Sequence, residues 1–439
     1  MANAGDVVEI VTGKGTEKGV LMPSPDEKIV LIKLSSGYNL GFEKKDIKEI
    51  KVIEQKKEKE ARQKQPVSFK ENLKIKESLK TISILHCGGT IASKVDYETG
   101  AVKAKFSPQE LLELFPELGS IVNLKSRLVA NMMSENMRFA HYNLIAKEIE
   151  KEINAGSRGI IVTHGTDTLH YTAAALAFIL QELNVPVLMV GAQRSSDRGS
   201  SDAFLNLKCA AHFIAQSDFA EVAICMHSNS SDDKCAIIPG VKGRKMHSSR
   251  RDAFKAVNAG PFALVDSEGN IEWRNNAYHK IAKNEPKKLS LKLFREDIKI
   301  GLLKAHPQMF AEEIKCYSHF AGLVLEGTGL GHFPIEKYDG YTQEHDLLFQ
   351  EISNLAKKIP VLMATQTIFG GVNMNVYSPG RKLMEAGVLG NGLDMTAETA
   401  YIKLAWLLSN YPVKEAKELL ARNFRGEISA QRKYEEEFC

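Results

Sequence analysis

Two glycine turns in this chain are each followed by a hydroxyl that could serve as a nucleophile. Thr90 stands in Gly88-Gly89-Thr90-Ile91-Ala92, and Thr166 in His164-Gly165-Thr166-Asp167-Thr168. A threonine hydroxyl attacks poorly until a neighbour takes its proton, so this use demands a base within hydrogen-bond reach. The second segment already sets a carboxylate, Asp167, beside its threonine. Paired glycines let the backbone turn sharply and pass close to a ligand. Taken singly, each segment also fits helix capping, because Thr and Asp are both favoured at helix N-termini.

A compact apolar run precedes each turn: Thr81–Cys87 before the first and Gly159–Thr163 before the second. Val185–Val190, followed by Gly191-Ala192, and Val222–Met226 are two more such runs. Between them, Leu144–Ile153 and Tyr171–Glu182 carry apolar residues at helical spacing. Near-continuous apolar strands alternating with helices predict an α/β fold built on a parallel sheet with helices on both faces. In such sheets ligands bind just beyond the carboxyl ends of the strands, and both threonines fall there. A second, smaller α/β region begins near Ile298. Its strands are expected at Ile300–Leu303, Gly322–Leu325 and Val361–Ala364, and its helices at Met309–Tyr317, His345–Lys358, Thr396–Asn410 and Val413–Phe424.

Residues 5–53 have a different texture. Short apolar stretches at Val7–Val11, Val20–Met22, Ile29–Leu34 and Leu40–Ile53 are separated by Gly, Pro and Ser turns, the pattern of a small all-β barrel or sandwich. The chain therefore divides into a small β-barrel domain at 1–55, a charged linker at 56–80, and two α/β domains at 81–290 and 291–439. The formal net charge is +4, yet residues 51–80 hold ten Lys/Arg against five Glu, which leaves the rest of the chain at −1. That segment reads as a solvated linker or as an electrostatic contact for nucleic acid or an acidic partner.

Several classes are disfavoured. With 44% hydrophobic and 26% charged residues, the chain is neither fibrous nor wholly disordered. It has no apolar run long enough for a transmembrane helix, and its first residues carry no basic start or apolar signal core, so a cytoplasmic location is expected. The six cysteines are far apart and form no Cys-x-x-Cys, so reduced thiols are expected rather than a zinc ribbon. No Gly-x-Ser-x-Gly elbow, Walker sequence or metal-ligand cluster occurs, which argues against a conventional serine hydrolase, an ATPase or a metalloenzyme. His164 and His170 read as structural, and Gly327-Thr328-Gly329-Leu330-Gly331 as a turn.

Together the two threonine segments resemble the signature motifs of the asparaginase–glutaminase family, amidohydrolases with a threonine nucleophile. Three further landmarks follow in order. Asn131-Met132-Met133-Ser134-Glu135-Asn136-Met137 resembles the family's substrate-binding serine loop, Val190-Gly191-Ala192-Gln193-Arg194 its next strand end, and Gly243-Arg244-Lys245-Met246-His247-Ser248 its catalytic-lysine segment. The likeness spans roughly residues 80–425 and implies a two-lobed asparaginase-like fold. The closer likeness is to one branch, the D-type subunits of archaeal glutamyl-tRNA(Gln) amidotransferases, whose asparaginase-like body carries an extra N-terminal β-barrel domain.

The resemblance implies roles. Thr90 would attack the side-chain amide of glutamine, and Thr166 with Lys245 would relay the proton. Asp167 would orient them and contact the substrate ammonium. A partly buried lysine can act as a base, although a neighbouring Asp opposes the required shift. Ser134 would hold the substrate carboxylate, with Gly89, Gly165 and Glu135 beside it, and the N–H near Ala192 would stabilise the oxyanion. Glu135 stands where many free asparaginases have glutamine. Tyr97 is a further candidate on the loop after Thr90, in flanking residues that match poorly. No cofactor is expected on this chain. ATP and Mg²⁺ would sit on an E-type partner subunit that amidates Glu-tRNA(Gln) with the released ammonia, and a homodimeric core is expected. Two other readings stay open: a free cytoplasmic L-asparaginase, and a non-catalytic scaffold that binds tRNA or protein through residues 1–80.

Overall fold

The computed structural model describes residues 2–3, 5–13, 15–22, 24, 28–34, 39–54, 76–89, 93–95, 102–104, 116–194, 200–282, 284 and 287–431. Thr90, Tyr97 and residues 56–75 of the expected linker lie outside the described residues.

The N-terminal strands form one antiparallel sheet in the order Asn39–Glu43, Ile29–Lys33, Gly15–Met22, Val7–Thr12, Ile47–Glu54. Alternation along Val7–Thr12 turns Val8 and Ile10 inward, where they meet Ile32 in a small core of their own. Among the described residues no pairing joins the two outer strands, so the described part is an open sheet.

The body is built on an eight-stranded sheet. From one edge its strands are Ile271–Trp273, Ala263–Asp266, Lys234–Pro239, Val222–His227, Val187–Val190, Ile160–Thr163, Thr81–His86 and Asn123–Leu128. The last five run parallel. Ile160–Thr163, Val187–Val190 and Val222–His227 are buried at every residue, which is why they read as continuous apolar runs. The first three strands join antiparallel, so the sheet is mixed rather than wholly parallel. Hairpins need no helical crossover, and nothing between Lys234 and Trp273 alternates with helices, so this extension carries no strand–helix signal.

The chain crosses sides at one point. After Thr81–His86 it pairs Asn123–Leu128 on one flank, then returns to place Ile160–Thr163 on the other. The loops leaving His86 and Thr163 therefore diverge, which opens a crevice at the carboxyl ends of these two strands.

Three parallel strands, Ile300–Lys304, Gly322–Gly327 and Val361–Thr365, make the second sheet. The helix Ala397–Asn410 fixes it to the body. Its Trp406 stacks on Phe178 with ring centroids 5.4 Å apart and donates its indole N–H to the Lys292 carbonyl at 3.0 Å. Leu176, Val324, Leu362 and Trp406 share one continuous core, so the two lobes are a single packed unit. One buried ion pair spans the junction, Lys242 with Asp394 at 2.8 Å, and a second, Lys403 with Glu427 at 2.7 Å, lies within the C-terminal lobe. Among the described residues no helix is long and apolar enough to cross a membrane.

Candidate active site

Register brings the site together. His86 pairs with Thr163, and Thr163 with Val190, so three strands end in one row. The segments beginning at Cys87, His164 and Gly191 consequently leave the sheet side by side. They approach more closely than side chains would allow. Gly88 has φ +102°, and a Cβ there would lie 2.3 Å from the Met132 carbonyl oxygen. A Cβ on Gly89 would lie 2.5 Å from the Gly165 nitrogen, and one on Gly165 would lie 3.0 Å from Ser134 Oγ. Glycine at these positions is what lets the first turn, the second turn and the serine loop approach this closely.

Ser134 is buried beneath this contact. Its carbonyl accepts from Thr168 Oγ1 at 2.6 Å, and its hydroxyl accepts from Thr168 N–H at 3.4 Å. Glu135, the next residue, is exposed. The methyl of Thr166 faces Gly191, leaving no room for a Cβ there, and this seats Thr166 against the turn that leads to buried Ala192.

Lys245 arrives from another direction. It ends the strand Gly243–Lys245, paired antiparallel with Phe254–Ala256. Its neighbour Arg244 anchors that strand to Glu398 of the Ala397–Asn410 helix at 2.9 Å. The Lys245 side chain is only 10% exposed, and its Nζ donates to Thr166 Oγ1 at 2.9 Å and to Asp167 Oδ1 at 2.7 Å. Asp167 is 68% exposed at the mouth of the crevice. Hydroxyl, amine and carboxylate thus form one hydrogen-bonded line from floor to rim, an arrangement suited to moving a proton toward or away from a nucleophile beside Gly89. Thr90 directly follows Gly89 in sequence.

Sequence reading passes over Asp202. Its buried carboxylate accepts from the Gln193 N–H with both oxygens and from the Arg194 N–H, all at 3.0 Å. An Asp just before the apolar-periodic run Ala203–Ile214 signals a helix N-cap. Here its side chain secures the turn after Ala192 instead.

His164 and His170 are buried, as is His86. His164 bridges the Gly165 carbonyl and Thr172 Oγ1 at 2.7 and 2.9 Å, fixing the second turn to the helix that follows. His86 bridges Thr163 and Ser126 at 2.9 and 3.0 Å. Burial pushes all three imidazoles from 6.5 down to about 4. Between those values the unfolded chain binds more protons than the folded one, so stability falls on acidification through this window and levels off below it. Urea unfolding should lose up to about 1.4 kcal/mol per pH unit for each histidine. A His86→Gln variant, which keeps a polar partner for Thr163 and Ser126, should reduce that slope; an unchanged slope would count against the assignment.

The relatives agree with this architecture. The family model for the asparaginase N-terminal domain matches residues 81–279, and that for the glutaminase/asparaginase C-terminal domain matches 299–420. A third, described as the GatD N-terminal domain, matches 2–53. Among solved structures, the thermostable L-asparaginase from Thermococcus kodakarensis superposes with a TM-score of 0.67 at 29% identity, over 80% of this chain and 100% of its own. L-asparaginase I from Vibrio cholerae gives 0.66 at 27%, over 80% and 99%. The D-type subunit of the glutamyl-tRNA(Gln) amidotransferase of Pyrococcus furiosus is 43% identical across 97% of this chain and 94% of its own length. That of Methanococcus maripaludis is 43% identical across 97% and 98%. With the body, the added N-terminal domain and full-length identity all in agreement, the chain belongs to the family of D-type subunits of glutamyl-tRNA(Gln) amidotransferases.

Proposed function

We propose that this chain is the glutaminase subunit of a tRNA-dependent amidotransferase and hydrolyses glutamine to glutamate and ammonia. The observation that carries this is the Lys245–Thr166–Asp167 line set against Gly89, Ser134 and Ala192 at the crossover of the sheet. In the reaction Thr90 Oγ1 adds to the side-chain amide carbon and yields its proton through Thr166 to Lys245. The carbonyl electrons move onto oxygen, where the N–H near Ala192 receives them. The proton then goes to the amide nitrogen, the C–N bond breaks and ammonia leaves. Water cleaves the resulting ester to glutamate and regenerates Thr90. Ser134, with Gly89, Gly165 and Glu135 around it, holds the α-carboxylate, and Asp167 takes the α-ammonium.

Residues 81–290 and 291–439 supply this chemistry. Residues 1–55, joined through 56–80, serve the larger assembly, in which an E-type partner with ATP and Mg²⁺ activates Glu-tRNA(Gln) and uses the ammonia. A homodimeric core fits this reading. The L-asparaginase structures support a second reading, a free L-asparaginase, because they match the body alone.

The Thr90→Ala variant separates these ideas. In the full chain, with its co-purified partner, charged tRNA and ATP, glutamine-dependent amidation should disappear while amidation fed by ammonium chloride persists. Retained glutamine-dependent amidation overturns the nucleophile, and strong partner-independent asparagine turnover by the parent chain favours the second reading.

A further inference from the structure

Behind the turn at Gly191–Ala192 lies a run of buried polar groups that the reaction scheme leaves unused. The strand Val222–His227 neighbours Val187–Val190 and extends past it, so that His227 lies behind the turn rather than within the crevice. The His227 side chain is fully buried. Its Nδ1 is 2.7 Å from Asn206 Oδ1, and its Nε2 is 3.1 Å from Asp232 Oδ1. Asn206, also fully buried, gives its amide Nδ2 to the Gly191 carbonyl at 3.0 Å and to Asp202 Oδ2 at 3.3 Å.

Those two acceptors fix which way the Asn206 amide faces: its nitrogen points to Gly191 and Asp202, so its oxygen points to His227. His227 Nδ1 is therefore the donor. Asp202, held from one side by Asn206, grips the N–H groups of Gln193 and Arg194 on the other. The backbone on both sides of Ala192 is thus hydrogen-bonded to one buried unit, at the Gly191 carbonyl before it and at Gln193 after it. At its outer end the unit reaches the lysine loop. Arg251, six residues beyond Lys245, pairs with Asp232 at 2.5 Å.

We propose that His227 is a positioning residue for amide hydrolysis. By holding Asn206 it fixes the peptide that carries the Ala192 N–H. This rests on the reading of Ala192 given above. His227 acts through Asn206. Its effect falls on the developing oxyanion, which carries full charge only beyond the ground state, so losing it should depress kcat and spare KM.

Two amide substitutions test this, since both keep a polar group in the buried slot. Asparagine carries an N–H donor near the Nδ1 position and retains the bond to Asn206. Glutamine sends its amide toward Asp232 and gives that bond up. In the full chain assayed with its partner, His227→Asn should keep kcat for glutamine within about threefold of the parent, whereas His227→Gln should lower it about tenfold or more with KM within about twofold. Urea midpoints measured alongside should be similar for the two variants. Equal kcat losses in both, no loss in either, or an effect confined to KM overturns the proposal. A parent chain that hydrolyses no glutamine overturns the underlying reading and this inference with it. Normal parent turnover with unaffected variants overturns the inference alone.

Discussion

Replacing Lys245 with methionine should lower kcat for glutamine hydrolysis by about 10²–10⁴-fold, the usual range for removing a positioned acid–base group. Methionine keeps the apolar stem and the packing around a side chain that is 10% exposed, so the urea midpoint should move little. What is lost is the amine that bonds both Thr166 Oγ1 and Asp167 Oδ1. On the proposed role, in which the lysine serves the reacting hydroxyl rather than the substrate's charged ends, kcat/KM and kcat should fall together. Steady-state kinetics on the complex check this. A loss of less than about tenfold would remove Lys245 from the proton path.

Glu427→Ala should destabilise the protein by about 3–5 kcal/mol, because it leaves a charge buried without its counter-ion. Lys403 and Glu427 are both fully buried and 2.7 Å apart. Glu427 also accepts the N–H groups of Phe424 at 3.1 Å and Arg425 at 2.7 Å, which hold the C-terminal segment against the body. Lys403 retains the Leu420 and Arg422 carbonyls at 2.9 and 2.6 Å, too little to replace a carboxylate. Burial already holds the Lys403 ammonium below its usual 10.5, opposed by Glu427. Without Glu427 only the lowering influence remains. The folded variant then sheds the lysine proton before the unfolded chain does, so the penalty should shrink as pH rises toward 10.5. Urea unfolding of parent and variant at neutral and alkaline pH measures it. A penalty below about 1 kcal/mol, or one independent of pH, would contradict the argument.

The parts legible in the sequence are those whose cause is local. Strands buried on both faces are mostly apolar, so 81–86, 160–163, 187–190 and 222–227 announce themselves, and the glycine turns at their ends follow. The family likeness then singles out Lys245 and Ser134. Illegible were contacts created by register and by hairpins. Lys234–Pro239 looks no different from the loops around it until it pairs with Val222–His227, and the turn between them is what sets Asp232 against His227. Asp202 is likewise an ordinary helix-start residue in sequence. Only the fold brings the Gln193 and Arg194 amides to it. The outer end of the small β-domain stays an expectation for the same reason: whether its last strands meet is a matter of pairing rather than of pattern.

The glycine contacts on the floor of the crevice bear on how this protein can change over time. Gly88, Gly89 and Gly165 meet Met132, Gly165 and Ser134 at distances that admit no added carbon. The floor is therefore largely backbone laid on backbone, with the Ser134 side chain beneath Gly165, and its shape offers substitution little to act on. The rim is different: Glu135 is exposed to solvent and lies outside those close glycine contacts. Divergence in which amide is accepted, among proteins sharing this floor, has to be written at the rim.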